Sequence, residues 1–193
     1  MVQLLFSDKQ LTNRRCGDCT LCCKLVPVEK NLNKPAGVRC KYQTHRGCRV
    51  YANLEVVSPS CRFWNCQWLA DPETRELRRP DRSHYVIDVM PDYVGHQTIA
   101  TGEVQNIPVM QVWIDPDYPD AHRDPALRRY MVYVAETRQQ ATIVRYGNQR
   151  GRVIFPPSLA SDGEWHEMES IARAEDSAWH NPLDGIHKLA SRI

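Results

Sequence analysis

Eight cysteines, Cys16, Cys19, Cys22, Cys23, Cys40, Cys48, Cys61 and Cys66, fall within 51 residues of a 193-residue chain, and the 127 residues that follow contain none. Thiolates bind soft and borderline metals, attack electrophiles and exchange electrons. The opening residues, Met1 to Lys9, hold too short an apolar stretch for a secretory signal. The expected compartment is therefore the cytoplasm, where thiols stay reduced and a dense cysteine cluster points to metal or redox chemistry before disulfides.

The first run is Cys16-Gly-Asp-Cys19-Thr-Leu-Cys22-Cys23. Gaps of two residues let three sulfurs converge through tight turns, and Gly17 relaxes the backbone between them. Bacterial ferredoxins use the same gaps to hold a cubane iron–sulfur cluster. Here the fourth cysteine is immediately adjacent and no proline follows it. Neighbouring residues point in different directions, so Cys22 and Cys23 are expected to serve different metals, or one of them to bridge two. The other four, Cys40, Cys48, Cys61 and Cys66, complete a count of eight, which suits two four-coordinate sites of either the zinc or the [4Fe–4S] kind. Spacing leaves the pairing open. One split joins Cys16, Cys19 and Cys22 to a distant cysteine and places Cys23 with the rest. His45, between Cys40 and Cys48, is a possible substitute for one sulfur.

Cys16-x-x-Cys19-x-x-Cys22-Cys23, followed by Gly47-Cys48-x-Val50-Tyr51, Pro59-Ser-Cys61-Arg62 and Cys66, resembles the bacterial CxxCxxCC cysteine-cluster family. Its members are described as zinc- or iron-chelating, some as iron–sulfur oxidoreductases, and its characterised relatives include flagellin lysine methylases. The resemblance spans about residues 14–70. It implies all eight cysteines as ligands and implies no reaction. An iron–sulfur cluster is favoured over zinc because the first three gaps match cubane-binding runs. The expected function is a metal-binding protein whose iron–sulfur cluster and/or zinc serves structure or electron transfer. The alternatives are a zinc-stabilised component of a larger assembly and a metal-dependent enzyme of unknown substrate. Eight cysteines for two sites argue against the open coordination position that an enzyme would need.

Other residues carry less. Phe63, Trp64 and Trp68 flank Cys61 and Cys66 and read first as the local core of a small domain, and second as a screen between metal and water. Asp115, Asp117, Asp120, His122 and Asp124 gather after a strand. Asp124 serves as a helix cap, and the segment lacks the central Gly and terminal Glu of a calcium loop. The remaining histidines, among them His84, His96, His166, His180 and His187, share no ligand spacing. No Gly-x-Ser-x-Gly elbow and no phosphate loop occurs.

The elements that position the cysteines divide by composition. Residues 1–80 hold 14 Lys and Arg against 7 Asp and Glu, and residues 81–193 hold 11 against 16, giving +7, −5 and the net +2. Eight thiolates with two divalent ions would still be anionic, so the basic part either offsets that charge or faces a partner. The small net charge gives no strong nucleic-acid signal, and no apolar run reaches the length of a membrane span. A protein partner or larger assembly is the expected association.

The fold class expected is α+β. Residues 1–80 form an irregular, metal-stabilised Cys-rich domain, and residues 81–193 a small sheet-and-helix domain. The polar, proline-bearing stretch from Asp71 to Arg82 reads as a linker or exposed excursion. Strands are expected over His84–Met90, Val109–Ile114, Ala141–Tyr146 and Arg152–Phe155, the last two as a hairpin across Gly147–Gly151. A helix is expected from about Pro125 to Arg138, and a short one over Trp165–Ala174.

Overall fold

Side chains alternate across a strand, and here that alternation sends two strands' residues to two different cores. Strand β3 (Tyr85–Ile87) and the long β5 (Val104–Ile114) are antiparallel neighbours, with Val86 opposite Trp113. Tyr85, Ile87, Met110, Val112 and Ile114 face one side. Val86 and Trp113 face the other, where they pack against Leu21, Leu25 and Leu69 from the Cys-rich part. The sheet is therefore a middle layer with the Cys-rich part on one face and a helix on the other. The computed structural model describes residues 12–88, 92–97, 102, 104–146, 151–155, 157, 164 and 166–169.

The architecture is α+β as expected. The Cys-rich part consists of short pieces: α1 (Leu21–Leu25), a two-rung hairpin of β1 (Gln43–Thr44) and β2 (Gly47–Cys48), α2 (Leu54–Val57), α3 (Pro59–Phe63) and α4 (Gln67–Ala70). Helix α5 (Pro80–Ser83) leads into the sheet. The six-stranded sheet runs β3-β5-β6 (Ala141–Tyr146)-β7 (Arg152–Phe155)-β8 (His166–Glu169), with β4 (Asp92–Gln97) also on β5. Strand β6 (Ala141–Tyr146) is parallel to β5, and α6 (Pro125–Arg138) makes the crossover. Leu127, Tyr130, Met131 and Val134 of α6 are buried against the sheet. Asp124 caps α6, its Oδ1 accepting the Ala126 N–H at 2.9 Å, with Pro125 as first helical residue.

Strand β7 (Arg152–Phe155) turns back on β6 as the hairpin reading requires. Gly151 is needed there, since a Cβ would lie 2.6 Å from the Val144 carbonyl oxygen. Residues 147–150 lie outside the described residues, as do 89 and 90 of the first expected strand. Within the described part that strand begins at Tyr85, because His84 takes a left-handed conformation (φ 63°) that closes α5.

Three expectations are corrected. Strand β5 begins at Val104, ahead of the expected Val109, and runs through Pro108. Parallel pairing with β6 starts only at Val109, so at Pro108 the strand is bonded on one side and tolerates a missing N–H. Residues His166–Glu169 form strand β8 on the edge of β7, where a helix was expected over Trp165–Ala174; the rest of that span lies outside the described residues. An open strand edge offers unpaired backbone groups, which outweigh a short helix's weak local preference.

The third correction concerns Asp71–Arg82, which is not an exposed linker. Asp71, Thr74 and Leu77 are buried, and their spacing of three matches the 3₁₀ turn Pro72–Glu76 between them. Asp71 accepts hydrogen bonds from the Tyr130 hydroxyl (2.7 Å) and the Arg138 guanidinium (2.5 Å) on α6. Replacing Asp71 with Ala strands both donors and is expected to cost about 3 kcal/mol, read as a lower urea midpoint. Asp71→Asn, which keeps an acceptor, should lose less. Among the described residues no helix is long and apolar enough to cross a membrane.

Candidate metal centre

Helix α1 is only five residues long, yet it carries Cys22 and Cys23 side by side. Consecutive helical residues are separated by roughly 100° around the axis, so the two thiols leave the helix in different directions. Cys22 packs with Cys19, Cys66 and the tryptophans of the core beneath the sheet. Cys23 faces Cys40, whose N–H donates to the Cys23 carbonyl at 2.9 Å.

Electrostatic repulsion among the thiols falls mainly within two groups, with Cys23 reaching into both. Cys16 is repelled by Cys19 and Cys23, Cys22 by Cys23, Cys66 and Cys16, and Cys66 by Cys16 and Cys19. Cys48 is repelled by Cys23 and Cys40, and Cys61 by Cys23, Cys40 and Cys48. The sets meet at the double cysteine, where Cys22 and Cys23 share a side-chain hydrogen bond. Of the four distant cysteines, Cys66 packs in the same cluster as Cys19 and Cys22.

Backbone amides reach several of the sulfurs. The Tyr42 N–H donates to Cys40 at 3.5 Å, and amides of Leu21 and Asp81 act on Cys19, of Leu69 and Trp68 on Cys66, and of Val50 on Cys48. Amide donors aimed at sulfur favour the thiolate and fix its direction. Cys61 instead takes the Ser58 hydroxyl at 3.2 Å. Ser58 is fully buried and precedes Pro59, a helix-start pattern, but its hydroxyl serves the sulfur and makes no cap bond.

Protonation follows from these surroundings. Burial raises the thiols of Cys16, Cys19, Cys48 and Cys61 above the ordinary range, and pushes Cys66 up to about 12. The shared hydrogen bond raises Cys22, a shift that burial reinforces. The same bond lowers Cys23 to about 7 against burial, with help from Lys34. Thiols held neutral by burial become thiolates when a cation binds among them, releasing protons.

Two residues that sequence reading passed over supply positive charge. Lys34 is 5 % exposed, and its ammonium donates to the carbonyls of Lys24 (3.2 Å), Val26 (2.5 Å) and Pro35 (3.2 Å). Burial lowers its pKa to about 8, while Cys23, Cys40, Cys22 and Cys61 pull it back up. Arg79 serves the first set. It pairs with Asp18 (2.8 Å) and Asp81 (2.6 Å) and donates to the Cys16 carbonyl (3.4 Å). Nothing in the local sequence distinguishes Lys34 from an exposed lysine. Arg79 lies in the stretch taken for a linker.

His45 is exposed at the turn of the β1–β2 hairpin. Of the flanking aromatics, Trp64 and Trp68 pack beside Cys19, Cys22 and Cys66, whereas Phe63 is 52 % exposed and belongs to no local core. The Trp64 and Trp113 indoles donate to the buried Asp88 carboxylate at 2.9 and 3.4 Å, closing the seam between sheet and thiols. The acids after β5 have partners of their own. Asp115 and Asp117 accept from Lys24, Asp120 pairs with Arg123, and Asp124 caps α6. Beside them lies an open groove of about 560 Å³, where His84 stacks on Tyr118 with ring centroids 3.5 Å apart.

Among the described residues no three His, Cys, Asp or Glu side chains converge on one metal-ion position. Four thiolates around a single zinc at about 2.3 Å must crowd together, whereas a cubane puts each thiolate on its own iron and spreads the sulfurs apart. Eight free thiols in one part of the fold are the donor type that either a zinc or an iron–sulfur centre takes. No family model, no curated protein and no solved structure matches the chain.

Proposed function

We propose that this chain is an iron–sulfur protein with two four-thiolate centres. Cys16, Cys19, Cys22 and Cys66 hold one, and Cys23, Cys40, Cys48 and Cys61 hold the other. When bound, such clusters supply one-electron redox chemistry. The observation that supports this reading is that Cys19, Cys22 and Cys66 gather in one buried cluster, while Cys48 and Cys61 lie within electrostatic reach of Cys23 and Cys40. The resemblance of the cysteine spacing to the CxxCxxCC family agrees with it.

The chain's own residues do three things for these centres. Trp64, Trp68 and Trp113 keep water from the first set. Lys34 and Arg79 offset thiolate charge. The adjacent pair Cys22–Cys23 would place one ligand of each centre on the same helix. A structural role accompanies the redox one, since the Cys-rich part is short helices and turns around few buried apolar side chains and gains folding energy from its ligated metal.

Protein purified without oxygen tests this. About eight iron and eight sulfide per chain are expected, with a broad absorption near 400 nm that bleaches on adding dithionite. Colourless protein with one or two zinc would replace the redox reading with a purely structural one.

A further inference from the structure

Most large apolar side chains that the described residues expose sit around the second set of thiols. Val38 (50 %), Tyr51 (67 %), Val56 (85 %) and Phe63 (52 %) are four of six such residues, and all four fall between positions 38 and 63. Three of them lie on consecutive elements that pack on one another. Tyr51 sits on the turn that feeds α2, Val56 on α2 and Phe63 on α3. Val38 leads to Cys40, which lies within electrostatic reach of Cys61. Exposed apolar residues clustered in this way mark a surface that something covers.

The charge of the same stretch says what. Arg39, Lys41, Arg46, Arg49 and Arg62 are all exposed, and Glu55 is the one acid between positions 38 and 63. Two of these cations are held in place, Arg49 on the Lys41 carbonyl (3.3 Å) and the Lys41 ammonium over the Tyr42 ring (5.2 Å). The remainder of the protein is of opposite sign, with −5 over residues 81–193. Five exposed cations against one acid attract an acidic partner and steer it toward this stretch before contact. Aliphatic Val38 and Val56 beside the aromatics fit the apolar centre of a protein interface, ringed by charge.

We propose that this face, around Cys40, Cys48 and Cys61, docks an acidic protein that exchanges electrons with the second centre. The proposal rests on the iron–sulfur reading for what passes between the partners, and on the surface alone for the docking.

The probe is a plant-type [2Fe–2S] ferredoxin, chosen as a strongly acidic electron carrier, titrated into the purified holoprotein. Saturable binding is expected to weaken about tenfold between 50 and 300 mM salt, as screening of surface charge requires. Arg46→Glu with Arg49→Glu should weaken it at least tenfold, and Val56→Asp severalfold. Arg123→Glu with Arg128→Glu, an equal change of charge on the other part, should leave it intact. Reduction of the 400 nm band by reduced ferredoxin should slow in parallel in the first two variants, while reduction by dithionite does not.

Absence of saturable binding, or equal loss in the Arg123/Arg128 variant, overturns the docking face. Tighter binding of a uridine 12-mer, lost in the Arg46/Arg49 variant, overturns it in favour of single-stranded nucleic acid. Zinc-loaded protein that binds ferredoxin with the expected salt dependence keeps the docking face and removes the electron exchange.

Discussion

Replacing Cys19 with Ser is expected to remove at least half of the bound iron and to melt the Cys-rich part at a temperature at least 10 °C below the parent. A serine hydroxyl stays protonated where a thiolate is required, so the first set falls to three sulfurs. The consequence exceeds one lost ligand. Cys19 takes amide donors from Leu21 and from Asp81, and its side chain packs with Cys22, Cys66, Trp64 and Trp68. Without the cluster, that pocket holds three thiols and few other apolar groups. Ligation energy is folding energy in such a part, on the order of 10 kcal/mol for a well-formed site. Amide hydrogen exchange over residues 14–70 should rise, while α6 and β6 keep their protection. Cys48→Ser should instead strip the second set and leave the first loaded. Full metal content and an unchanged melting temperature in Cys19→Ser would sink the ligand assignment.

The parts of this molecule that the sequence announces are those where one local signal decides the outcome. Asp124-Pro125 followed by Leu127, Tyr130, Met131 and Val134 is a cap, a fixed φ and a buried stripe in eleven residues, and α6 runs Pro125–Arg138 as expected. Ala141–Tyr146 and Arg152–Phe155 are likewise strands at the expected bounds, because β-branched residues and the Gly151 turn agree. The illegible parts are set by partners distant in sequence. Asp71–Arg82 looks polar because its inward residues are an Asp, a Thr and a Leu spaced by three, and that period declares itself only once Tyr130 and Arg138 are seen to receive Asp71. Strand β8 exists because β7 has an edge to fill.

The candidate site divides the same way. Eight cysteines and the two directions of the double cysteine are visible in the sequence. That Cys66 lies beside Cys19 and Cys22 depends on how the start of α4 packs beneath Val86 and Trp113. That Lys34 is buried depends on the Lys24 and Val26 carbonyls of a segment it crosses, together with that of its neighbour Pro35, which no composition rule reveals.

Lys24→Met is expected to destabilise the protein by about 3–5 kcal/mol at pH 7, the cost of leaving one member of a buried ion pair alone. Lys24 follows Cys23 on α1 and is 8 % exposed. Its ammonium donates to Asp115 (2.5 Å) and Asp117 (2.6 Å) just beyond β5. Asp115 is 4 % exposed, so methionine keeps the stem's volume but strands a carboxylate in the interior. Asp115→Asn added to Lys24→Met should recover most of the loss, and a double-mutant cycle isolates the pair.

Acid and alkali act on the pair with opposite signs. Burial works to lower the Lys24 pKa, but the bonds to Asp115 and Asp117 outweigh it and hold the pKa above its ordinary value. That contribution is complete below the unfolded lysine value of about 10.4 and is lost as pH rises through the higher folded value. The Lys24 bond holds Asp117 below its ordinary value. Its contribution is present above the unfolded value of about 3.9 and disappears as pH falls through the folded one. Urea midpoints of parent and Lys24→Met should therefore differ most between about pH 5 and 9 and approach one another at either extreme. A difference under 1 kcal/mol at pH 7 would mean that the pair does not fasten α1 to the sheet. If the pair does fasten it, the variant should also release iron faster to a chelator, because the helix that loosens is the one carrying Cys22 and Cys23.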